Sequence, residues 1–449
     1  MTPRRHTLPA ELFARIAAGG GGAEAARLLT AAEYSKRLVL LRAVMERAPA
    51  ERAGVSGGAG AVRQAYDLLV ALQRTTPAAV RHVIGHPAVG VWALHTLRGP
   101  RDASTGPGRL AALAAGAAVL ARVPISLTVT VERLAPGRCG VMLPSLGFAA
   151  LPGTRAGDPA VVRVGPSGAA VEAAGHLVPI PPDPFAEDGA WLGLRRLSAG
   201  TGPHAVRFLV DDVDPFRFPL VRRCAPRLPA GELSRWQAVV ECGRRLLAGV
   251  HPEVAAEVSA GVGVLVPLLG APGEVTSATS PEGFGCVALS RPSDARALTQ
   301  TLAHEVQHGK LTALGTLFPL VAEPDGERFY APWREDPRPV GGLLQGAYAH
   351  LGLALFWERQ RHAETQRTAR LHAQTEFARW RDATASVVRV LLTGRRLTPL
   401  GERFATGMLA TLDALRAAPV SPRAARRAAH LLADHRTRWQ ARNGRREPA

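Results

Sequence analysis

The chain has 449 residues, 47% of them hydrophobic, so it can form two or three structural units with apolar cores. No apolar run approaches the roughly 20 residues that cross a bilayer, and no secretory-type apolar stretch follows the N-terminus, so we expect a cytoplasmic protein without a membrane partner. The net charge is +18, but only Lys36 and Lys310 are lysines, the arginines are spread along the whole chain and aromatic residues make up 5%, which argues against a nucleic-acid partner and leaves an acidic peptide partner open.

The first half of the chain predicts helices followed by strands. Residues 1–125 mix apolar and charged residues at helical spacing, with helices over 23–47 and 61–73 and a flexible break at 19–22. From 125 to 220, short β-branched runs alternate with Gly and Pro. That texture predicts an antiparallel β section.

Farther along, a few strands precede a long helical end. Residues 292–294 form a typical helix start, just before a helix that carries a histidine motif. From residue 341 the chain is again helical and arginine-rich, with a break near Gly394 and Pro399 and a polar tail over 440–449. The remaining predicted elements are a helix over 232–248 and strands over 262–269 and 285–289.

Together these elements predict an α+β fold that is mainly helical. The cysteines form no CxxC pair, so we expect neither a zinc ribbon nor disulfides but small buried apolar side chains. The cysteines concerned are Cys139, Cys224, Cys242 and Cys286. Four regions are expected: N-terminal helices over 1–125, a strand-rich mixed region over 126–290, metal-binding catalytic helices over 291–368, and C-terminal helices over 369–449.

The clearest chemical signal is an HExxH segment formed by His304, Glu305 and His308. On a helix the two histidines project from one face and can bind one metal ion, while Glu305 lies on the neighbouring flank, close enough to act on a bound water or to orient a ligand. Two apolar-edged stripes indicate that the histidines face the interior, and the alternative is a pair of core histidines without a metal. The stripes are Leu298, Leu302 and Val306, and Ala297, His304, His308 and Leu311.

A metal site needs a third protein ligand, and the best candidate is His350 in the next predicted helix. Gly346, Ala347 and Ala354 share its face, and such small residues would let the second helix come close enough for metal–nitrogen bonds of about 2 Å. A helical histidine is more often a core or surface residue, so the spacing alone leaves both interpretations open.

Between these helices, the turn-rich segment 329–339 carries Arg334 and Arg338. A guanidinium fork suits a carboxylate ligand. The alternative is that both arginines pair with Glu335, Asp336 or solvent.

Two other histidine groups are weaker candidates. His82 and His86 are four residues apart, but Gly and Pro interrupt the helix around them. His362 and Glu364 form an H-x-E pattern like that of jelly-roll oxygenases, yet they lie in a charged helical stretch that predicts a solvated face.

HExxH is most familiar from zinc peptidases, in which the glutamate activates a zinc-bound water. Their usual third ligand is lacking here, because the third and sixth positions after His308 are Leu311 and Leu314, not Gly and His. Glu323 and Glu327 are near enough in sequence, but turn residues separate them. A zinc peptidase therefore stays an alternative.

Over most of its length the chain resembles the α-ketoglutarate-dependent HExxH-type peptide β-hydroxylases. The motifs that carry the resemblance are AGGGG at 18–22, LPSLG at 143–147, the segment 191–215 ending in DDVDP, HEVQH at 304–308, and YAPWREDPRP at 330–339 leading to His350. This combination is far more specific than HExxH alone.

The resemblance implies that His304, His308 and His350 bind Fe(II), with α-ketoglutarate (2-oxoglutarate) and O2 as cosubstrates. The substrate it implies is a side chain of a ribosomally made precursor peptide, hydroxylated at its β-carbon. It also implies that an arginine of the 330–339 segment anchors the α-ketoglutarate, with Arg338 preferred to Arg334.

Iron sites of such oxygenases usually have two histidines and one carboxylate, so a three-histidine site leaves Glu305 without a place among the ligands. We therefore expect Glu305 to be a catalytic residue that acts beside the metal ligands. A peptide-binding protein without catalysis is a further alternative, and the oligomeric state stays open.

Overall fold

The structure is a computed structural model, and the residues it describes are 6–48, 59–99, 106–135, 137–219, 223–270, 276–322, 326–394 and 396–444. Helices occupy both ends of the chain, and three β-sheets lie in its middle. The predicted α+β, mainly helical fold is therefore confirmed. In the described ranges, no helix combines the length and the apolar character needed to cross a bilayer.

Within the described residues the α-helices form three groups. The first group is α1 (Ala10–Ala17), α2 (Gly22–Glu46), α3 (Ala59–Thr75), α4 (Pro77–Gly85), α5 (Pro87–Arg98) and α6 (Arg109–Ala121). Two helices lie inside the β region, α7 (Ala230–Val250) and α8 (Pro252–Gly261). The last group is α9 (Ala295–Leu317), α10 (Val340–Ala363), α11 (Arg367–Leu392), α12 (Pro399–Arg416) and α13 (Pro422–Asn443).

The strands form three sheets in the described part of the chain. One antiparallel sheet has the order β1 (Ile125–Thr130), β5 (Pro159–Gly165), β6 (Gly168–Ala173), β7 (His176–Ile180). A second has the order β2 (Glu132–Ala135), β3 (Arg138–Leu143), β4 (Gly147–Ala150), β9 (Trp191–Gly193), β8 (Glu187–Asp188). The third has the order β10 (Arg195–Ala199), β11 (Val206–Val210), β12 (Val264–Pro267), β14 (Cys286–Leu289), β13 (Ser277–Ala278).

The antiparallel prediction for 125–220 is confirmed for the first two sheets and for the β10–β11 pair. The third sheet is mixed, because β12 pairs in parallel with both β11 and β14. Helices α7 and α8 supply the crossover from β11 to β12 that parallel pairing requires. Residue 220, the last of that predicted section, lies outside the described residues.

The predicted helix starts and breaks are largely confirmed. Asp294 caps α9, since its side chain accepts a hydrogen bond of 2.8 Å from the backbone N–H of Ala297. The break near 394–399 separates α11 from α12, but the shorter breaks after α10 and α12 were not predicted. The polar tail was predicted over 440–449, but α13 continues to Asn443, so the predicted start is too early. Residues 445–449 lie outside the described residues.

The glycine break at 19–22 is confirmed as a sharp turn. Gly19, Gly21 and Gly22 have φ of 89°, 110° and 58°, in the left-handed region that favours glycine. Lys310 of α9 donates to the carbonyl oxygens of Gly19 and Gly20 at 3.2 and 2.9 Å. The turn is thus fastened to the helix that carries the HExxH motif.

The prediction for the cysteines is only partly right. All four are free, as expected, and Cys224 and Cys286 are buried. Cys139 is half-buried and Cys242 is exposed on α7, so the prediction of burial is wrong for Cys242. Its sulfur lies 3.1 Å from the guanidinium of Arg245 one helical turn away, on the outer face of α7.

A hydrophobic core surrounds α10 and joins both ends of the chain. Leu343, Leu351 and Phe356 of α10 pack in one cluster with Phe13 of α1 and Phe377 of α11. This packing fixes α10 against α9 on one side and α11 on the other. The division into four regions stays a prediction.

Candidate metal centre

Helix α9 presents the HExxH histidines on a face that its other contacts leave free. Leu298, Leu302 and Val306 are buried in the core of the third sheet, which confirms the predicted apolar stripe. His304 and His308 are half-buried on another face, with ring centroids 4.8 Å apart and planes at 81°. The two imidazoles therefore lie side by side in one cavity.

Helix α10 brings His350 to the same cavity. Its ring is buried, with the centroid 5.1 Å from that of His304. Its Nδ1 lies 2.8 Å from the carbonyl oxygen of Gly346, and a carbonyl only accepts, so Nδ1 carries the proton and Nε2 keeps its lone pair. The three histidines singled out from the sequence thus line one cavity.

The close approach of α9 and α10 depends on Gly352 and not on Gly346, the glycine expected from the sequence. A Cβ at Gly352 would lie 2.5 Å from Cγ of Gln307 and 3.0 Å from the carbonyl oxygen of Ala303, so α9 and α10 touch at this point. Gly346 instead makes room for Trp333, whose Nε1 would lie 2.4 Å from an added Cβ. The expectation that Gly346 admits α9 is therefore wrong.

The ring nitrogens of His308 and His304 are also suited to binding. Nδ1 of His308 faces Oε1 of Gln345 at 3.2 Å, and the amide nitrogen of Gln345 donates to Thr312, so Nδ1 of His308 is the donor and Nε2 is free to act as a ligand. Nδ1 of His304 is buried without a hydrogen-bond partner among the described residues. A buried polar nitrogen of this kind calls for a ligand.

The two ring separations measured from His304 suit a shared ion. Three imidazoles bound through nitrogens at about 2.1 Å, with angles near 90–110° at the ion, place their ring centroids about 4.5–5.2 Å apart. Both distances from His304, 4.8 and 5.1 Å, fall in that range. No three His, Cys, Asp or Glu side chains in the described ranges are already arranged to hold a metal ion, so binding would require the side chains to adjust.

The protonation states also favour metal binding. Burial lowers the pKa of His304 well below its usual value, and the neighbouring His350 and His308 lower it further. Burial likewise lowers the pKa of His350 to about 3. Both rings are therefore neutral at pH 7, which is the form that binds a metal.

Glu305 also lines this cavity, and a hydrogen bond from the third sheet restrains its side chain. Its side chain is buried, and Oε1 accepts a hydrogen bond of 2.7 Å from Ser277 of β13. Burial raises the pKa of Glu305, while the charge of His308 and hydrogen bonds from Ser277 and Thr279 lower it. Sequence reasoning did not identify Ser277, because its contact with α9 exists only in the folded sheet.

The two predicted arginines line the cavity and both bind Asp336. Nε of Arg334 lies 2.9 Å from one carboxylate oxygen of Asp336, and NH1 of Arg338 lies 3.0 Å from the other. The side chain of Arg334 is 55% exposed and that of Arg338 is 35% exposed. Pairing with Asp336, the alternative weighed from the sequence, is thus observed, and it leaves each guanidinium at the cavity wall.

Three further residues of this cavity were missed from the sequence: Arg379 and Trp380 of α11 and His435 of α13. Trp380 packs on His350 with ring centroids 4.5 Å apart, and Trp333 stacks on the same ring at 4.3 Å. The guanidinium of Arg379 lies 4.2 Å from the centre of the Trp380 ring, and its Nε is buried without a hydrogen-bond partner in the described part of the chain. No local pattern marks these residues, because they come from helices far away in sequence.

The rival ligand sets do not assemble among the described residues. His86 follows the end of α4 and lies in a different cavity with His82. His362 is 68% exposed and pairs with Glu358, as expected for a solvated face. Glu327 pairs with Arg396 at 2.6 Å, while Glu323, the other carboxylate weighed for a peptidase, lies outside the described residues.

The cavity has a volume of about 830 Å³, within the range of small-molecule sites. Comparison with protein-family models finds no family that matches this chain. Comparison with curated proteins finds no similar protein either. The case for a function therefore depends on the residues that line this cavity.

Proposed function

We propose that the chain is an Fe(II)- and 2-oxoglutarate-dependent oxygenase that hydroxylates the β-carbon of a residue in a ribosomally made precursor peptide. The observation that supports this most is the imidazole of His350, which comes from α10 and lies beside the HExxH rings of α9 with Nε2 unprotonated. The motif alone offers two ligands, and in this proposal His350 is the third.

In this proposal His304, His308 and His350 hold Fe(II) through ring nitrogens. Three protein ligands leave positions for the bidentate 2-oxoacid and for O2, and the iron, when bound, supplies the chemistry that converts C–H, O2 and 2-oxoglutarate into C–OH, succinate and CO2. The protein's part is positioning: Trp333 and Trp380 both pack on the His350 ring and restrain its orientation.

A dicarboxylate such as 2-oxoglutarate needs a cation at the end that does not reach the iron. Arg338 is less exposed than Arg334, which supports the preference for Arg338. Arg379 is a second candidate, because its Nε lacks a partner and its guanidinium is steadied by Trp380. We expect Arg338→Gln or Arg379→Gln to weaken 2-oxoglutarate binding at least tenfold, and Arg334→Gln to weaken it less, in anaerobic calorimetry with Mn(II).

The activity is tested by anaerobic loading with Fe(II), followed by 2-oxoglutarate, air and a candidate peptide encoded beside the gene. A gain of one oxygen atom in the peptide, with formation of succinate, is the expected result. His350→Ala should abolish it, whereas His362→Ala is the matched control on the same helix, since His362 is 68% exposed. Equal activity of the two variants would remove the basis of the proposal.

A zinc peptidase is the second candidate, because Glu305 lines the same cavity as the histidines. A peptidase needs Glu305 as the base for a zinc-bound water, and losing such a base costs about 10²–10⁴-fold in rate. In an oxygenase Glu305 positions its neighbours, and Gln can still accept the hydrogen bond from Ser277. Glu305→Gln should therefore keep hydroxylation within about tenfold; peptide cleavage with zinc, lost in this variant, would favour the peptidase.

A protein that binds peptide without catalysis is distinguished by its metal content. Full-length protein that purifies without metal and gains no thermal stability from Fe(II), Co(II) or Zn(II) would favour that alternative. The cytoplasmic location stays a prediction.

A further inference from the structure

A second cavity, of about 740 Å³, lies away from the histidine site. Its wall is formed by the start of α4, the junction of α4 and α5, and the strands β10 to β12. Among the described residues that line it, every charged side chain is basic: Arg37, Arg81, Arg196 and Arg207. We call this cavity the arginine groove.

The arginines of the groove are largely available to a ligand. Arg81 and Arg207 are exposed, and neither forms a salt bridge within the described part of the chain. Arg196 lies 3.8 Å from the centre of the Phe185 ring and pairs with Asp183, but both partners of that pair are about half exposed, so the pair is weak. Buried Arg37 donates to backbone carbonyls, among them that of Phe284 at 2.6 Å, and fixes a positive charge at the floor of the groove.

Two helix N-termini add to the positive potential. Helix α4 begins with Pro77, and Ala78 and Ala79 of its first turn line the groove, as does Pro87 at the start of α5. Neither helix has a side-chain cap, but the N–H groups of Ala79 and Val89 already donate to the carbonyl oxygens of Thr76 and His86, each at 3.1 Å, so the contribution of these termini is that of the helix dipole. His86 between the helices is buried, faces the groove and has no hydrogen-bond partner for Nδ1 in the described ranges, although Nε2 lies 3.7 Å from Asp211.

A small cavity shares lining residues with both the groove and the histidine site. It has a volume of about 20 Å³, enough for a single water. Phe284 and Gly285 line both this cavity and the groove, whereas Thr279 and Glu305 line both this cavity and the histidine site. Thr279 at the histidine site and Phe284 at the groove are thus only a short stretch of chain apart.

We propose that the arginine groove binds an acidic stretch of the polypeptide whose other part enters the histidine site. The identity of that polypeptide as the substrate rests on the proposed function, whereas the recognition of acidic peptide by the groove does not. A polypeptide is favoured over a nucleic acid because the phenylalanines that line the groove offer little surface for stacking on a base: Phe208 and Phe284 are buried, and Phe185 already carries the Arg196 guanidinium.

The binding test uses a fluorescein-labelled peptide of alternating Glu and Gly, with a Gln-for-Glu peptide as the uncharged control, followed by fluorescence anisotropy. The double variant Arg81→Glu, Arg207→Glu should weaken binding of the acidic peptide at least tenfold, and rising salt should weaken it in the wild type. The matched control is Arg63→Glu, Arg423→Glu, which changes the net charge equally at exposed arginines outside both cavities. It should change the affinity less than threefold.

Equal weakening in the two double variants, or equal binding of the Glu and Gln peptides, overturns the proposal. An RNA oligomer of the same charge that binds more tightly than the peptide and depends on Arg81 and Arg207 overturns the assignment to polypeptide. Circular dichroism verifies that each variant is folded. Arg81 and Arg207 form no salt bridge in the described residues, so replacing them breaks none.

Two further measurements separate this inference from the proposed function. His350→Ala should bind the acidic peptide like the wild type, because His350 does not line the groove. If the groove variant loses acidic-peptide binding while no peptide is ever hydroxylated, the groove is supported and the oxygenase fails. If hydroxylation occurs and its kcat/KM is the same for peptides with and without an acidic extension, the oxygenase is supported. The proposal that one polypeptide occupies both the groove and the histidine site is then refuted.

Discussion

The stacking of Trp333 on His350 makes Gly346 a sensitive position. An alanine Cβ at 346 would lie 2.4 Å from Nε1 of Trp333 and 2.7 and 2.8 Å from two further indole atoms. To restore ordinary contact of about 3.5 Å, the indole must withdraw by about 1 Å. Because the nearest atoms belong to the ring system, the whole side chain has to move, and its contact with His350 is lost.

The cost in stability should be small, while the effect on metal binding should be large. Overpacking costs about 1–3 kcal/mol, and Ala gains about 1 kcal/mol over Gly inside a helix, so Gly346→Ala should destabilise the fold by about 0–2 kcal/mol. Residues that support a ligand typically change metal affinity about 10–100-fold, and we expect a loss of that size. Urea denaturation gives the first quantity, and anaerobic titration with Co(II), followed by visible absorption, gives the second.

Gly315 of α9 is the matched control, because a Cβ there meets nothing within 4 Å. Gly315→Ala should keep the Co(II) affinity of the wild type and gain up to about 1 kcal/mol of stability. If Gly346→Ala binds Co(II) as tightly as Gly315→Ala, then Trp333 does not hold His350 in a binding position, and the reasoning for this wall of the site is wrong.

Two further predictions concern buried ionisable groups outside the histidine site. Lys310 and Glu257 form a buried pair at 2.6 Å, so Lys310→Met should cost about 3–5 kcal/mol by leaving Glu257 without its ion pair. Arg163→Met is the control, because Arg163 and its partner Glu172 are both about half exposed, and it should cost less than about 1 kcal/mol in urea denaturation; similar losses in both would contradict this. Burial lowers the pKa of His251 to about 4, so the unfolded chain takes up the proton at higher pH than the folded one. As the pH falls from about 6.5 to about 4, the metal-free protein should therefore lose up to about 1.4 kcal/mol of stability per pH unit from this group. His251→Gln should flatten the dependence of the urea midpoint on pH and His362→Gln should not; an unchanged slope in His251→Gln would show that this ring does not set it.

Features that depend on local chemistry were predicted well. The Asp294 cap, the glycine turn at 19–22 and the placement of His304 and His308 on one helix face follow from residues within a turn or two of each other. The face of His350 also followed from helical spacing. Such features depend on rules of dihedral angle and periodicity that operate before any tertiary contact forms.

Features that depend on tertiary contacts were missed or wrongly explained. Gly346 and Gly352 are both small residues on α10, and only the fold shows that Gly352 meets α9 while Gly346 meets Trp333. Arg379 and Trp380 enter the site because α11 packs along α10, and that packing depends on apolar residues spread over the second half of the chain. The exposure of Cys242 was missed for the same reason, since which face of α7 is buried depends on its packing against the third sheet.

The exposure of the histidine face of α9 follows from how fully its other faces are occupied. Leu298, Leu302 and Val306 are held by the third sheet, and Glu305 by the hydroxyl of Ser277. Gln307 and Lys310 are held by the glycine turn, where Gln307 donates to the Gly19 carbonyl at 2.9 Å. With these sides fixed, α9 cannot rotate to bury His304 and His308 without breaking several buried hydrogen bonds, each of which would leave a costly unpaired group. The N-terminal glycine turn, distant in sequence, therefore helps to aim the two rings at His350.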